Sequence, residues 1–218
     1  MREKPITVAI AHGQALYREG LRCMLERCRA LEVVGESGDG FTAVDLVRRA
    51  QPGVIVMGIP LPQREGLDTT REILSLGADT RVLVLGPEAA QGYAIRVLRA
   101  GAQGFLTTSA SAAELIEAID RVRSGKIFIP AILQEIFAER YFRPAVNGDD
   151  EKADHLTDRE FQVMCSLASG HSNKEVAGKL CISLKTVDTH RGHVLKKLGL
   201  RNNADLARFA IKKQFIQP

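Results

Sequence analysis

Residues 172–198 read SNKEVAGKLCISLKTVDTHRGHVLKKL and carry the start signals of two consecutive helices. Ser172 and Glu175 have the spacing of a capping box, in which each side chain bonds the other residue's backbone N–H group. Ser183 is a suitable N-cap for a second helix and follows the first after a tight turn. The stretch therefore predicts a helix-turn-helix, with helices over about 173–180 and about 184–198.

The flanking sequence adds one helix before this pair and one after it. Thr157 and Glu160 form another capping box, which predicts a helix over about 158–168. Asn202 or Asn203 is the cap of a fourth helix, over about 203–213. Because no strand pattern interrupts these signals, the C-terminal part of the chain is predicted to be all helical.

The N-terminal part alternates short apolar runs with stretches of helical period. Several runs are continuously apolar and rich in Val and Ile, which is typical of parallel strands covered on both faces. The strand candidates are residues 6–11, 31–36, 54–59, 81–86 and 104–108. The predicted fold class is therefore an α/β doubly wound domain with a five-stranded parallel sheet, followed by an all-α four-helix domain.

The chain of 218 residues is long enough for two modest domains. We predict an α/β domain over 1–127, a helical linker and flexible polar tether over 128–152, and a helical domain over 153–218. Residues 153–218 carry 11 lysines and arginines against 6 acidic residues, whereas the remainder carries 19 against 20. A basic module beside a neutral one points to a polyanionic partner.

Composition and spacing disfavour several functional classes. The cysteines have neither metal-site nor disulfide-framework spacing, so we expect reduced thiols and a cytoplasmic location; they are Cys23, Cys28, Cys165 and Cys181. No apolar run approaches the roughly 18 residues of a membrane span, and no signal peptide is visible, so no membrane partner is expected. No carboxylate pair, activated nucleophile or glycine-rich phosphate loop stands out. We therefore expect no enzyme activity, cofactor or metal.

The motifs LTDRE, SNKEVA, IS-x-KTV-x-TH and KKLG occur in order within residues 156–211. This region resembles the LuxR-type helix-turn-helix of NarL/FixJ response regulators. Upstream, YREGLRCML, QPGVIVMGIPLP and LRAGAQGFL resemble segments of the receiver domain of the same family, which has a flavodoxin-like fold. The two resemblances cover almost the whole chain and imply a sequence-specific DNA-binding transcription regulator.

The resemblance implies that the helix over about 184–198 enters the major groove. Asp188, Thr189 and Gly192 would face bases, and Asp188 stands where many relatives have lysine. We expect Asp188 either to accept from a cytosine amino group, to orient Arg191, or to form only an exposed ion pair. His190 and His193 are too few for a metal site. The implied DNA-binding residues are Asn173, Lys174, Lys185, Thr186, Val187, Asp188, Thr189, His190, Arg191, Gly192 and Lys196.

The resemblance also implies two-fold promoter sites bound by a homodimer, with RNA polymerase as a further partner. Two interpretations of the last predicted helix stay open. Its apolar residues pair two copies of the chain, or they complete the core of their own domain; these residues are Leu206, Phe209 and Ala210.

Receivers of this family need five side chains for phosphotransfer. Two acids follow the first strand, an aspartate ends the third, a hydroxyl follows the fourth and a lysine follows the fifth. The matching positions here are His12, Gly13, Gly58, Gly86 and Thr108. We therefore predict a pseudo-receiver with an inactive phosphorylation site, in a regulator that acts independently of aspartyl phosphorylation.

Two questions stay open on the sequence. The vacated crevice either holds a small ligand that switches the regulator, or is filled by neighbouring parts of the chain, which we favour. The protein itself is either a DNA-binding regulator or an interaction module that sequesters or heterodimerises with another regulator. The retained Lys185, His190, Arg191 and Lys196 favour the DNA-binding regulator.

Overall fold

The structure is a computed structural model that describes most of the chain. The described residues are 4–59, 61–64, 66–87, 91–131, 133–134, 152–153, 155–213 and 215–216. The chain divides into two compact units. The α/β unit comprises residues 1–88 and 94–130, and the helical unit comprises residues 89–93 and 131–218. Most of the predicted linker, residues 128–152, lies outside the described residues.

The α/β unit contains one parallel five-stranded sheet with the strand order β2-β1-β3-β4-β5. Its strands are β1 Ile6–Ala11, β2 Leu31–Ser37, β3 Val54–Gly58, β4 Arg81–Gly86 and β5 Gly104–Thr107. Its helices are α1 Ala15–Glu26, α2 Gly40–Ala50, α3 Gly66–Ser75, α4 Gln91–Arg99 and α5 Ala112–Arg123. This architecture confirms the predicted fold class of the N-terminal part.

The buried strands explain why the sequence forms this sheet. Every residue of β3 is buried, which agrees with its continuously apolar run between two layers of helix. In the strand register Ala11 lies opposite Met57, and Gly58 lies opposite Leu85. The carboxyl ends of β1, β3 and β4 therefore meet at one edge of the sheet, where doubly wound folds place their functional crevice.

Between residues 155 and 213, all of which the structure describes, the helical unit contains four helices, as predicted. They are α6 Asp158–Ala168, α7 Asn173–Lys179, α8 Leu184–Leu198 and α9 Asn203–Lys212. Thr157 and Ser172 both form complete capping boxes, and Ser183 accepts from the backbone N–H of Thr186. Asn202, rather than Asn203, caps the last helix by accepting from the backbone N–H of Asp205.

The helix-turn-helix is formed by α7, α8 and the short turn between them. Helix α7 ends at the C-cap Leu180, and Cys181 follows in the left-handed conformation with φ +53°. That residue reverses the chain so that Ser183 can begin α8. The helices enclose one apolar core, which includes Phe161, Val163, Met164, Val176, Val187, Val194 and Leu206.

Candidate DNA-binding surface and sheet-edge crevice

Helix α8 has one buried face and one exposed face. Its buried residues are Val187, Val194 and Leu198, which pack in the core of the helical unit. Its exposed side carries Lys185, Asp188, Thr189, Gly192 and Lys196. The second helix of a helix-turn-helix lies in the major groove of DNA, and its N-terminal residues contact base edges. The exposed side of α8 is therefore the candidate DNA-binding surface.

Two residues predicted to contact DNA have other positions. Val187 is fully buried, so its prediction as a DNA-contacting residue is wrong; the side chain fixes α8 on the core instead. His190 is half-buried, and burial lowers the pKa of its imidazole below 6.5. A neutral imidazole supplies no cation for a phosphate, so His190 adds little to the charge of this surface.

Arg191 does not pair with Asp188. Its Nε atom donates a hydrogen bond of 2.7 Å to the side-chain oxygen of Asn203, the first residue of α9. The bond therefore connects α8 to α9 and holds a half-buried guanidinium at the side of the candidate surface. Neither the predicted orientation of Arg191 by Asp188 nor an ion pair between them is present.

Asp188 pairs instead with Asn173 on the neighbouring helix. The Asn173 Nδ2 group donates to Asp188 Oδ1 at 2.5 Å, linking the first residue of α7 to the second turn of α8. Both residues were predicted to contact DNA, and the hydrogen bond brings them together. Three lysines close in sequence to this pair have exposed side chains that are able to approach phosphates: Lys174, Lys185 and Lys196.

A buried carboxylate behind α8 was not predicted as a functional group. Glu160 is only 3% exposed, and its Oε2 atom accepts from Lys197 Nζ at 2.6 Å and from the Thr157 backbone N–H at 2.8 Å. The Nδ1 atom of His193 lies 3.6 Å from the other oxygen. Glu160 therefore connects the N-terminus of α6 to two residues of the recognition helix α8. The capping box indicated the local bond, but not the burial or the partner Lys197.

We expect the stability of the helical unit to fall as pH drops below the ordinary glutamate pKa of 4.5. Burial raises the pKa of Glu160. The hydrogen bonds from Lys197 and Thr157 together lower that pKa by more than burial raises it, so the net pKa lies below 4.5. The unfolded chain then binds the proton more readily, and stability is lost as pH falls through the folded pKa. Urea unfolding at a series of acidic pH values measures this dependence. An equal dependence in Glu160→Gln would contradict the assignment.

The apolar residues of the last helix, α9, belong to the core of the helical unit. Leu206 and Ala210 are fully buried, and Phe209 is nearly so. They pack with Phe161 and other core residues of the same chain. Of the two interpretations left open by the sequence, core completion is the one that the structure supports for these residues.

His12 occupies the crevice of the α/β unit at the end of β1. The residue is 7% exposed, and its ring stacks on Tyr17 with the ring centroids 4.6 Å apart. The Nδ1 atom accepts a hydrogen bond of 3.0 Å from the backbone N–H of Gln14, and Arg18 donates to the His12 carbonyl at 2.7 Å. Burial, with a smaller contribution from the Arg18 charge, lowers the pKa of His12 below 6.5. His12 is therefore a fixed, neutral ring.

This ring fills the space beside Gly58 at the end of β3. A β-carbon on Gly58 would overlap His12 Cδ2 and lie 2.8 Å from Nε2. A β-carbon on Gly86 would lie 2.7 Å from Phe105 Cζ and 2.9 Å from Ile59 Cδ1. Real β-carbons essentially never approach other atoms this closely. The space beside these two glycines is therefore not empty, because neighbouring side chains fill it.

The remaining crevice positions carry no charged group. The Thr108 side chain is exposed, and its backbone N–H donates to the Gly86 carbonyl at 2.9 Å. Gly13 directly follows His12. The structure thus brings His12, Gly58, Gly86 and Thr108 to the same edge of the sheet. Among the described residues, no group of three or more His, Cys, Asp or Glu side chains is placed to hold a metal ion.

The fold and the exposed recognition helix define a class of protein: two-domain regulators with a receiver-type α/β domain and a DNA-binding helix-turn-helix domain. Family comparison agrees with this class. Residues 8–120 match the response regulator receiver domain, and residues 154–210 match the bacterial regulatory proteins of the luxR family. The chain belongs to the LuxR/NarL-type response regulators, which are DNA-binding transcription regulators and not enzymes.

Similar proteins cover this chain almost completely. It is 31% identical over 218 residues to the uncharacterized transcriptional regulatory protein YxjL of Bacillus subtilis, covering 100% of both chains. It is also 31% identical to the response regulator GacA of Pseudomonas aeruginosa, over 95% of this chain and 96% of that protein. The RcsB response regulator of Salmonella typhimurium shares the fold, with 20% identity and a TM-score of 0.77 over 97% of this chain and 99% of that one.

Across the described residues, no helix is both long enough and apolar enough to cross a lipid bilayer.

Proposed function

We propose that this regulator binds its DNA sites without phosphorylation of the α/β unit, which is a pseudo-receiver. One observation carries the proposal: the His12 ring stands against Gly58, at the position where receivers carry the aspartate that accepts the phosphoryl group. Neither the acceptor carboxylate nor the space for one is present there. The domain boundaries that we propose are 1–127, 128–152 and 153–218.

The residues at the crevice also do not fit the divalent cation that receiver chemistry uses. A hard cation such as Mg²⁺ requires several oxygen ligands, usually carboxylates. His12, Gly13 and Gly58 supply no carboxylate, and the backbone around them is already engaged in the sheet and its first loop. No step of a phosphotransfer reaction is therefore assigned to this protein.

The filled crevice argues against a ligand-switched regulator. His12 covers Gly58, while Phe105 and Ile59 cover Gly86, so each of these glycines faces a side chain of its own chain. A small molecule would have to displace a stacked ring or a buried phenylalanine to enter. We therefore propose the α/β unit as a fixed module that supports pairing or partner contacts.

Incubation with a small acyl phosphate and Mg²⁺ tests the proposal. We expect intact-mass measurement to detect no phosphoryl adduct and DNA affinity to be unchanged. A stoichiometric adduct that alters DNA affinity would contradict phosphorylation independence. An unrelated response regulator with a complete aspartate site, treated in the same tube, controls for an active donor.

We propose that Lys174, Lys185 and Lys196 hold DNA phosphates while the exposed part of α8 reads bases. These lysines are exposed, and a helix-turn-helix needs cations beside its reading helix. Asn173, Thr186, Thr189, Arg191 and Gly192 complete the proposed contact region. We further propose a cytoplasmic homodimer on two-fold promoter sites, with RNA polymerase as an additional partner.

Replacing Lys185 or Lys196 with alanine is expected to weaken binding to all DNA sequences alike. Each substitution removes about one phosphate contact, so the slope of log affinity against log salt concentration should fall by about 1. Titration of labelled duplexes at several salt concentrations measures the slope. Lys126→Ala removes an exposed lysine of the α/β unit and should leave the slope unchanged. Equal slopes in all variants would remove these lysines from the interface.

Sequestration of another regulator is the second candidate function. A chain that acts only by pairing has no need of exposed cations on α8, yet Lys185 and Lys196 are exposed there. Recovery of a stable regulator partner together with the absence of any DNA affinity would reverse the order of the two candidates.

A further inference from the structure

We propose that Asp188 determines the base preference of this regulator by accepting a hydrogen bond from the amino group of a cytosine. The inference rests on the proposed function, because it concerns what α8 reads when the chain binds DNA. It goes further by naming one base, one side chain and the residue that holds that side chain in place.

Asp188 lies on the exposed side of α8. It is exposed, and it lies in the second turn of α8, within the N-terminal part of the helix that contacts base edges in this motif. Val187, its neighbour in sequence, is fully buried, whereas Asp188 is exposed, so the two residues lie on different faces of the helix. The charge of Asp188 is the only negative side-chain charge in α8.

A hydrogen bond from the neighbouring helix orients the Asp188 carboxylate. Asn173 Nδ2 donates to Oδ1 at 2.5 Å from the start of α7. Within the part of the chain that the structure describes, Oδ2 accepts no hydrogen bond and forms no ion pair with a cationic side chain. One oxygen is therefore fixed and the other is available to a donor. A side chain that is already fixed loses less conformational freedom on binding.

The major groove offers a carboxylate few hydrogen-bond donors. A carboxylate only accepts, and the only amino donors in the groove are cytosine N4 and adenine N6. Adenine also presents N7, an acceptor, beside its amino group, and this acceptor repels a carboxylate. Guanine and thymine present acceptors and, for thymine, a methyl group. Cytosine is therefore the base that fits Asp188.

The negative charge sharpens this preference. Asp188 approaches a polyanion, so its carboxylate is repelled wherever no amino group compensates. A site without cytosine at this position leaves a desolvated charge unpaired, which costs more than the loss of one neutral contact. Rejection of other bases, more than tighter binding of cytosine, is the expected result.

Selection from a pool of random duplexes by the untreated full-length chain tests the inference. We expect one position in each half-site to be cytosine, with about 5- to 100-fold weaker binding when another base pair replaces it. Asp188→Asn should move the preference at that position to adenine, because an amide bonds adenine N6 and N7 together. Asp188→Ala should abolish the preference there while every other position of the motif stays the same.

Two further variants separate base reading from other effects. Asn173→Ala should keep the cytosine preference but reduce its strength, because the carboxylate loses its orienting bond. Asp120→Ala removes one exposed negative charge from α5 of the α/β unit and should not alter the motif. Circular dichroism of each variant establishes that the helical unit is folded.

An unchanged motif for Asp188→Ala, with uniformly tighter binding to all sequences, would overturn the inference and make Asp188 a simple surface charge. That result would leave the proposed function intact. If the wild-type chain selects no motif, the proposed function fails and this inference fails with it. The two failures are therefore distinguishable.

Discussion

Replacing Gly58 with alanine is expected to destabilise the α/β unit by about 1–3 kcal/mol, the range of an overpacked core. The added β-carbon would overlap the His12 ring, and that ring cannot simply rotate away. It is buried, stacked on Tyr17 and held by the Gln14 backbone N–H group. Urea unfolding followed by circular dichroism gives the free energy, and an unchanged m-value shows that the unfolded state is the same.

A double-mutant cycle identifies His12 as the cause. His12→Ala removes the ring, so we expect Gly58→Ala to cost much less in that background than in the wild type. Gly20→Ala is the matched control, because a β-carbon at Gly20 in α1 meets no atom within 4 Å. It should leave stability unchanged or raise it slightly. Additive effects of the two crevice substitutions would show that His12 does not occupy the space beside Gly58.

The same geometry predicts that an aspartate at position 58 does not restore a receiver. Its β-carbon would overlap the His12 ring, and the two positions after β1 that carry acids in receivers remain His12 and Gly13. Any side chain at position 58 therefore requires the His12 ring to move as well.

Glu160→Ala is expected to destabilise the helical unit by about 2–3 kcal/mol. Because DNA binding requires the folded helical unit, we expect the variant to lose DNA binding as conditions approach its unfolding midpoint. The substitution leaves the Thr157 N–H group without its acceptor and removes the partner of Lys197 on α8. Thermal and urea unfolding measure the loss.

Glu175→Ala is the matched control for Glu160→Ala. Glu175 forms the same capping box with Ser172 at the start of α7, but its side chain is exposed and, among the residues that the structure describes, bonds to no other helix. We expect a clearly smaller loss of stability. Equal losses would mean that Glu160 acts only as a local cap, and that its bond to the recognition helix contributes nothing.

The sequence predicted the features that depend on neighbouring residues. The capping boxes at Thr157 and Ser172 fix helix starts through bonds that span three residues, and the structure has both. The apolar runs predicted the sheet for a similar reason, because continuous burial of β3 follows from its composition. The absence of acidic groups at the crevice was also visible, since it concerns which residues are present.

Contacts between distant residues were not predictable from the sequence. Asp188 has Arg191 three positions away on its own helix, yet it pairs with Asn173, fifteen positions earlier in the chain. The missed pairing follows from how α7 and α8 pack. The occupation of the Gly58 space by His12 likewise depends on two strands that meet only in the folded sheet.

The most direct test of phosphorylation independence is selection of genomic DNA fragments by the untreated full-length protein at physiological salt. The same selection is repeated after incubation with an acyl phosphate and Mg²⁺. We predict the same two-fold motif with the same affinity in both samples, because position 58 carries glycine and the His12 ring fills the space beside it. A motif that appears only in the treated sample would contradict the account.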